Sequence, residues 1–126
     1  MDYSEKPKPR RLDIYLADLP RQRGSIQYGY RPVIILQNDR GNESSTTVIV
    51  IPLTGKPKYG QPTHAIIGTH TGVRRVSTAL CEQIQTIPMD RLTRKIGKIA
   101  EDEDIQALHR ASASQRIPAN EYVPSP

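Results

Sequence analysis

Apolar residues in this 126-residue chain come in short dense runs, each closed off by glycine, proline or a polar cluster. "LDIYLADL" (12–19) alternates, with Ile14 and Leu16 on one face and Asp13, Tyr15 and Ala17 on the other, and predicts a first strand. "RPVIILQ" (31–37) is a continuous apolar run, as expected of a strand covered on both faces. "TTVIVIPLT" (46–54) is the strongest strand signal because of its β-branched content. Shorter strands are predicted over "PTHAIIG" (62–68) and "RKIGKIA" (94–100). "VSTALCEQIQTI" (76–87) reads as one long strand whose rhythm is broken by polar residues, and "PMDRL" (88–92) as a helical turn begun by Pro88.

A single helix is predicted from Glu101. Its first turn is acidic, Ile105 and Leu108 are spaced i, i+3, and His109 and Arg110 fall near its end, an order that complements the helix dipole. "EDED" (101–104) is therefore a helix start rather than a metal site. The segments 20–30, 38–45, 55–61 and 69–75 carry turn and loop chemistry. Residues 1–11 form a flexible basic arm and 114–126 a Pro-rich flexible tail, leaving one domain over 12–113. Five or six short strands and one C-terminal helix make a mainly β (α+β) chain, a small antiparallel barrel or twisted sheet.

Composition narrows this picture. Without Trp or Phe, the core must be built from Val, Ile and Leu, and 11 prolines and 8 glycines require many turns. The net charge is +5, but between Leu12 and Ala100 there are 12 basic residues against 6 acidic ones. A basic body attracts polyanions through long-range steering and counterion release. The lone Cys81 excludes an intramolecular disulfide and suits a reducing compartment; with no activating cation nearby in sequence it reads as a buried, inert thiol. No run approaches the roughly 20 apolar residues of a membrane span, and the N-terminus lacks the apolar stretch of a secretion signal. A cytoplasmic protein with no membrane association is expected.

Familiar chemical motifs are missing. Three histidines and one cysteine show no zinc-type spacing, and no Gly-rich loop cradles phosphate. His64 and His70 read as structural or solvated residues. What remains is a set of polar residues at strand ends: Arg31 before "PVIIL", Thr54 after "VIVIPL", and Glu82-Gln83 within "ALCEQIQ". In an antiparallel sheet such ends can meet at one rim. Arg31 offers planar donors matched to a phosphate, Pro32 biases its backbone toward an extended form, and Thr54 offers a hydroxyl. Arg31 paired with Glu82 or Asp39 for stability is the alternative that these residues leave open.

In order and spacing, "DIYLADLPRQRGSIQYGYRPVIILQND", "SSTTVIVIPLT", "PTHAII" and "ALCEQIQTIPMDRL" resemble the MazF/PemK family of ribosome-independent mRNA endoribonuclease toxins from bacterial toxin–antitoxin systems. The resemblance runs from about Leu12 to Ser112. It implies an SH3-like β-barrel with a C-terminal helix, assembled as a symmetric homodimer. It assigns Arg31 and Thr54 to the catalytic pair. Ser25, Gln27 and Tyr28 then belong to a loop closing over RNA, and Ser77, Glu82 and Gln83 to the cleft wall. Lys56, Arg74 and Arg75 lie around the entrance, and Tyr30 and Tyr59 are further candidates for base stacking. The implied reaction is metal-independent attack of an RNA 2′-OH on phosphorus, with no cofactor. Single-stranded mRNA is the substrate and an acidic cognate antitoxin the partner. The chain departs from the family pattern at Leu12, where a glycine is common, at Ile26 and Val76, where acids are common, and at Tyr28. The resemblance also accommodates a non-catalytic toxin that binds a protein such as DNA gyrase, or a decayed RNA binder.

Overall fold

The computed structural model describes residues 8–24 and 26–114; the arm before Lys8, Ser25 and the tail after Ser114 lie outside the described residues. Among the described residues seven strands form: β1 (Asp13–Leu19), β2 (Gly29–Ile35), β3 (Thr47–Thr54), β4 (His64–Ile67), β5 (Ser77–Leu80), β6 (Gln85–Pro88) and β7 (Leu92–Lys98). Two helices accompany them, α1 (Asp39–Ser44) and α2 (Asp102–Ala113). Every pairing is antiparallel, in the order β4-β5-β3-β2-β1-β7, with β6 beside β3. β4 and β7 do not pair with each other, so hydrogen bonds do not close the sheet into a barrel.

β3 is the hub. One edge pairs with β2, from Val33↔Pro52 to Ile35↔Val50. Its other edge takes two partners in succession, β6 along Thr47–Val50 and β5 at Leu53 and Thr54. Alternation along the strands sends side chains to two faces. Ile51 and Leu53 join Ile14, Ile34, Ala79 and Leu108 in one buried cluster. Val48 and Val50 join Ala17, Leu19, Val33, Ile35, Ile87 and Leu92 in a second. The run 31–37 is thus covered on both faces, as its continuous apolarity predicts.

α2 seals the first cluster. Leu108 and Ala111 are buried against it and Ile105 packs at its margin. Asp102, Glu103 and Asp104 occupy the first turn and Arg110 the last, the charge order expected for this helix. No described helix is long and apolar enough to cross a membrane.

Four expectations need correction. Residues 76–87 are not one strand: a 3-10 turn at Cys81–Gln83 separates β5 from β6 and moves the chain along the β3 edge. The described residues therefore form seven strands rather than five or six. The segment 38–45 holds the short helix α1, because the Asn38 side chain accepts a 2.9 Å hydrogen bond from the Gly41 amide and caps it. The arm is not free up to residue 11. Pro9 is buried, the Arg10 amide donates to Asp13, and the Arg11 amide donates to Asp39.

Two backbone features fix the edges of the sheet. Leu12 has φ +73, in the left-handed region that a side chain disfavours, and is the only described non-glycine residue there. Its amide donates to Ile35 and its carbonyl accepts from Ile99, both at 2.8 Å. Elsewhere Gly72 and Gly97 interlock. A Cβ on Gly72 would overlap the Ile96 carbonyl oxygen, and one on Gly97 the Thr71 carbonyl oxygen. The turn after β4 is thereby pressed directly onto β7.

Candidate active site

Arg31 lies near the start of β2, opposite Ala17 of β1. Gly29, with φ +79, turns the chain into the strand just before it. The Arg31 side chain is half-buried and its Nε donates to the Tyr28 carbonyl at 2.9 Å. No described carboxylate pairs with it. Glu82 binds Thr63 and His64, Asp39 accepts from the Arg11 amide, Asp18 pairs with Arg91 and Asp13 with Lys95. The stabilising ion pair with Glu82 or Asp39 that the sequence left open is therefore not formed.

Thr54 ends β3. It lies two residues beyond Pro52, where the pairing with β2 ends at Val33↔Pro52. Thr54 is 8% exposed. Its hydroxyl makes no hydrogen bond among the described residues. On its other side stands Thr78 of β5, fully buried. The Thr78 hydroxyl donates to the Lys56 carbonyl at 2.7 Å and accepts from the Lys58 amide at 2.8 Å. This clamp folds the basic loop after Thr54 back onto the sheet, leaving Lys56 and Lys58 exposed beside it.

Arg75 runs along the backbone next to Thr54: a Cβ added to Gly55 would lie 3.2 Å from its Cδ. Arg74 is exposed in the same turn. Ser77 is buried and its hydroxyl donates to the Arg75 carbonyl at 2.8 Å, so it shapes the turn that presents both arginines. Four exposed cations, Lys56, Lys58, Arg74 and Arg75, therefore belong to the two segments that flank Thr54.

The loop 20–28 is fastened to the turn before β6. The Gln27 amide donates to Gln83 Oε1 at 3.0 Å, and Gln22 Nε2 donates to Gln85 Oε1 at 3.1 Å. The Arg21 guanidinium stacks 4.7 Å from the centre of the Tyr28 ring. Tyr28, Tyr30 and Tyr59 are exposed, Tyr59 by 75%. Ser25 lies outside the described residues. Glu82 is exposed but faces β4, where His64 contacts it at 3.2 Å.

The Thr78 clamp and the Gln22–Gln85 bond escaped the sequence reading. Two adjacent hydroxyls in a strand otherwise buried, Ser77-Thr78, were the available signal.

Other reactive groups stand apart from this rim. Burial pushes the Cys81 thiol pKa up, against a weaker opposing effect from Ser112, whose hydroxyl lies 3.6 Å from the sulfur. The thiol is buried and inert, as expected, although in the 3-10 turn rather than a strand. One described group brings metal-type ligand atoms within 4.8 Å of one another: His70, Glu101 and Asp104. His70 is hydrogen-bonded to Asp104 at 2.6 Å, which raises its pKa above the usual 6.5. That pair joins the turn after β4 to the start of α2, on the helix side of the sheet. A groove of about 1160 Å³ is lined by residues such as Tyr15, Met89 and Leu92 and includes neither Arg31 nor Thr54.

Residues 10–114 match the family model of PemK-like, MazF-like toxins of type II toxin–antitoxin systems. The chain belongs to this family. A Mycobacterium tuberculosis toxin, MazF-mt6, is similar at 28% identity with a TM-score of 0.68, covering 81% of this chain and 93% of that one. The MazF of Deinococcus radiodurans shares the fold at 20% identity and a TM-score of 0.72, covering 86% and 96%. A mycobacterial endoribonuclease solved with its cognate antitoxin shares it at 23% identity and a TM-score of 0.69, covering 84% and 92%. The MazF fold is thus this antiparallel sheet with its C-terminal helix.

Proposed function

We propose that this MazF-family protein is a sequence-specific endoribonuclease toxin that cleaves single-stranded mRNA in the cytoplasm without a metal ion. The observation that carries the reading is Arg31, free of any described carboxylate near the start of β2, the strand that pairs with β3, whose last residue Thr54 has a hydroxyl without a hydrogen bond among the described residues. Endoribonucleases among the structural relatives support it.

The 2′-oxygen attacks the adjacent phosphorus, the bond from phosphorus to the 5′-oxygen breaks, and the 2′ proton is lost as the leaving oxygen gains one. The products are a 2′,3′-cyclic phosphate and a 5′-OH. With Nε held by the Tyr28 carbonyl, the terminal nitrogens of Arg31 face the charge that grows on the phosphorane. Thr54 orients or relays the proton, and the cleft holds attacking and leaving oxygens in line. Lys56, Arg74 and Arg75 draw in the backbone, Gln27 and Tyr28 meet the bases, and Ser25 completes the loop. Ser77 contributes by shaping the arginine turn. An acidic antitoxin neutralises this basic rim, and the protein acts as a homodimer.

The test is cleavage of a long single-stranded RNA in EDTA by the wild type, Arg31→Ala and Thr54→Ala, with product ends mapped. Cuts bearing cyclic-phosphate and 5′-OH ends, lost in both variants, are expected. A folded, antitoxin-free wild type that leaves every RNA intact would make a protein-binding toxin the better account.

A further inference from the structure

The Arg31 guanidinium is aimed by a backbone carbonyl, not by an acid, and that carbonyl belongs to the loop 20–28. Gly29 follows it with φ +79, a conformation open to glycine and therefore a soft joint between loop and strand. β2 alone does not dictate where the Tyr28 carbonyl points. The nearest fixed point on the loop side is the Gln27 amide, tied at 3.0 Å to Gln83 Oε1. Gln83 lies in the 3-10 turn that joins β5 to β6, both paired to β3, and so rests on the hub of the sheet. The Gln22–Gln85 bond ties the same loop a second time. Two other buried amide atoms on this seam, Gln27 Oε1 and Gln85 Nε2, have no partner among the described residues, so the seam relies on the bonds it does make.

We infer that Gln83 is a positioning residue for Arg31: its side-chain carbonyl holds the Gln27 amide, and through it the Tyr28 carbonyl that orients the guanidinium. This rests on the ribonuclease reading and departs from it on one point. Gln83 acts on the rate through the loop rather than by touching RNA. A displacement of about 1 Å at the reacting centre lowers rates by roughly 100-fold.

The experiment compares the wild type with Gln83→Leu, Gln83→Asn and Gln83→Glu on one RNA oligonucleotide, measuring kcat and KM separately. It also follows hydrogen exchange of the Arg31 Nε–H by NMR in the RNA-free protein, with Arg31→Lys to identify the signal. Leu removes the acceptor and Asn draws it out of reach, so each should lower kcat about 10- to 100-fold with KM little changed. Both should also speed exchange at Arg31 Nε–H. Glu keeps an acceptor oxygen at the same reach and should restore slow exchange and most of kcat. A rise in KM at unchanged kcat in the Leu and Asn variants would overturn the inference and make Gln83 an RNA contact. Unaltered Arg31 exchange in both variants would overturn it too. If the wild type cleaves no RNA, the ribonuclease reading fails, while the NMR comparison still decides whether Gln83 positions Arg31.

Discussion

The two ends of the sheet are held in different ways. On the α2 side, buried aliphatic side chains from β1 to β5 meet Leu108 and Ala111, and the polar contacts include His70 with Asp104 at the margin and Ser112 with Cys81. At the rim of Arg31 and Thr54, loops are held by a few hydrogen bonds, two at Thr78 and one each at Gln83 and Gln85, among cations without described acidic partners. The first region contributes stability through area removed from water. The second leaves positive charge and the Thr54 hydroxyl without partners among the described residues, an arrangement that does little for stability.

The sharpest test of that contrast is Arg31→Ala. It should cut cleavage by about 1,000-fold, near 4 kcal/mol of transition-state stabilisation. Because Arg31 forms no ion pair with a described acid, Tm by calorimetry should move by no more than about 2 °C. Leu108→Ala is the mirror experiment. Loss of a fully buried leucine should lower unfolding free energy in urea by about 3 kcal/mol while kcat per folded molecule stays unchanged. A large activity loss in folded Leu108→Ala would break the division.

Thr78→Val probes the boundary. It is near-isosteric but strands the Lys58 amide and Lys56 carbonyl, so a stability loss of about 1–3 kcal/mol is expected. KM for RNA should rise with it as the basic loop loosens. Smaller still is the effect at His70. Hydrogen bonding to Asp104, with a further contribution from nearby Glu101, raises the imidazole pKa above 6.5. The pair therefore stabilises the fold fully below that value, and its contribution is lost as pH rises through the folded pKa. His70→Gln should lower Tm at about pH 6 and leave it unchanged at about pH 9, with cleavage unaffected.

The finest distinction concerns Leu12. Its left-handed backbone costs about 1 kcal/mol that its packing on the first cluster offsets. Leu12→Gly and Leu12→Ala both remove that packing, but Gly also removes the strain. Gly should be the more stable of the two by about 1 kcal/mol in chemical denaturation. The resemblance flagged this position as one where the family commonly has glycine, and φ +73 gives the physical reason.

That case shows how legibility varied along the chain. β2 and β3 could be read because "PVIIL" and "TTVIVIPLT" are dense in β-branched residues, and Arg31 stood out by preceding the first run and Thr54 by ending the second. α2 was legible from its charge order. The segment 76–87 was not, because Glu82-Gln83 reads as an interrupted strand unless one knows that β3 takes two partners on one edge. Long-range pairing decides that, and local pattern does not contain it. Polar side chains were the least readable. Ser77 shapes a turn, Thr78 clamps a loop and Glu82 serves β4, distinctions set by which strand each faces.

The interlocked Gly72 and Gly97 bear on how such a protein can be dissected genetically. Growth inhibition is the easiest phenotype to score for a toxin, and survivors from a saturation library would be sequenced as inactive. At these two positions any side chain meets a backbone oxygen, so survivors there would be as frequent as at Arg31, though neither glycine touches the reaction. Escape from toxicity alone thus cannot separate chemistry from assembly in this fold. A parallel count of folded molecules, such as a fused reporter or antitoxin capture, is needed before a survivor is scored as a catalytic lesion.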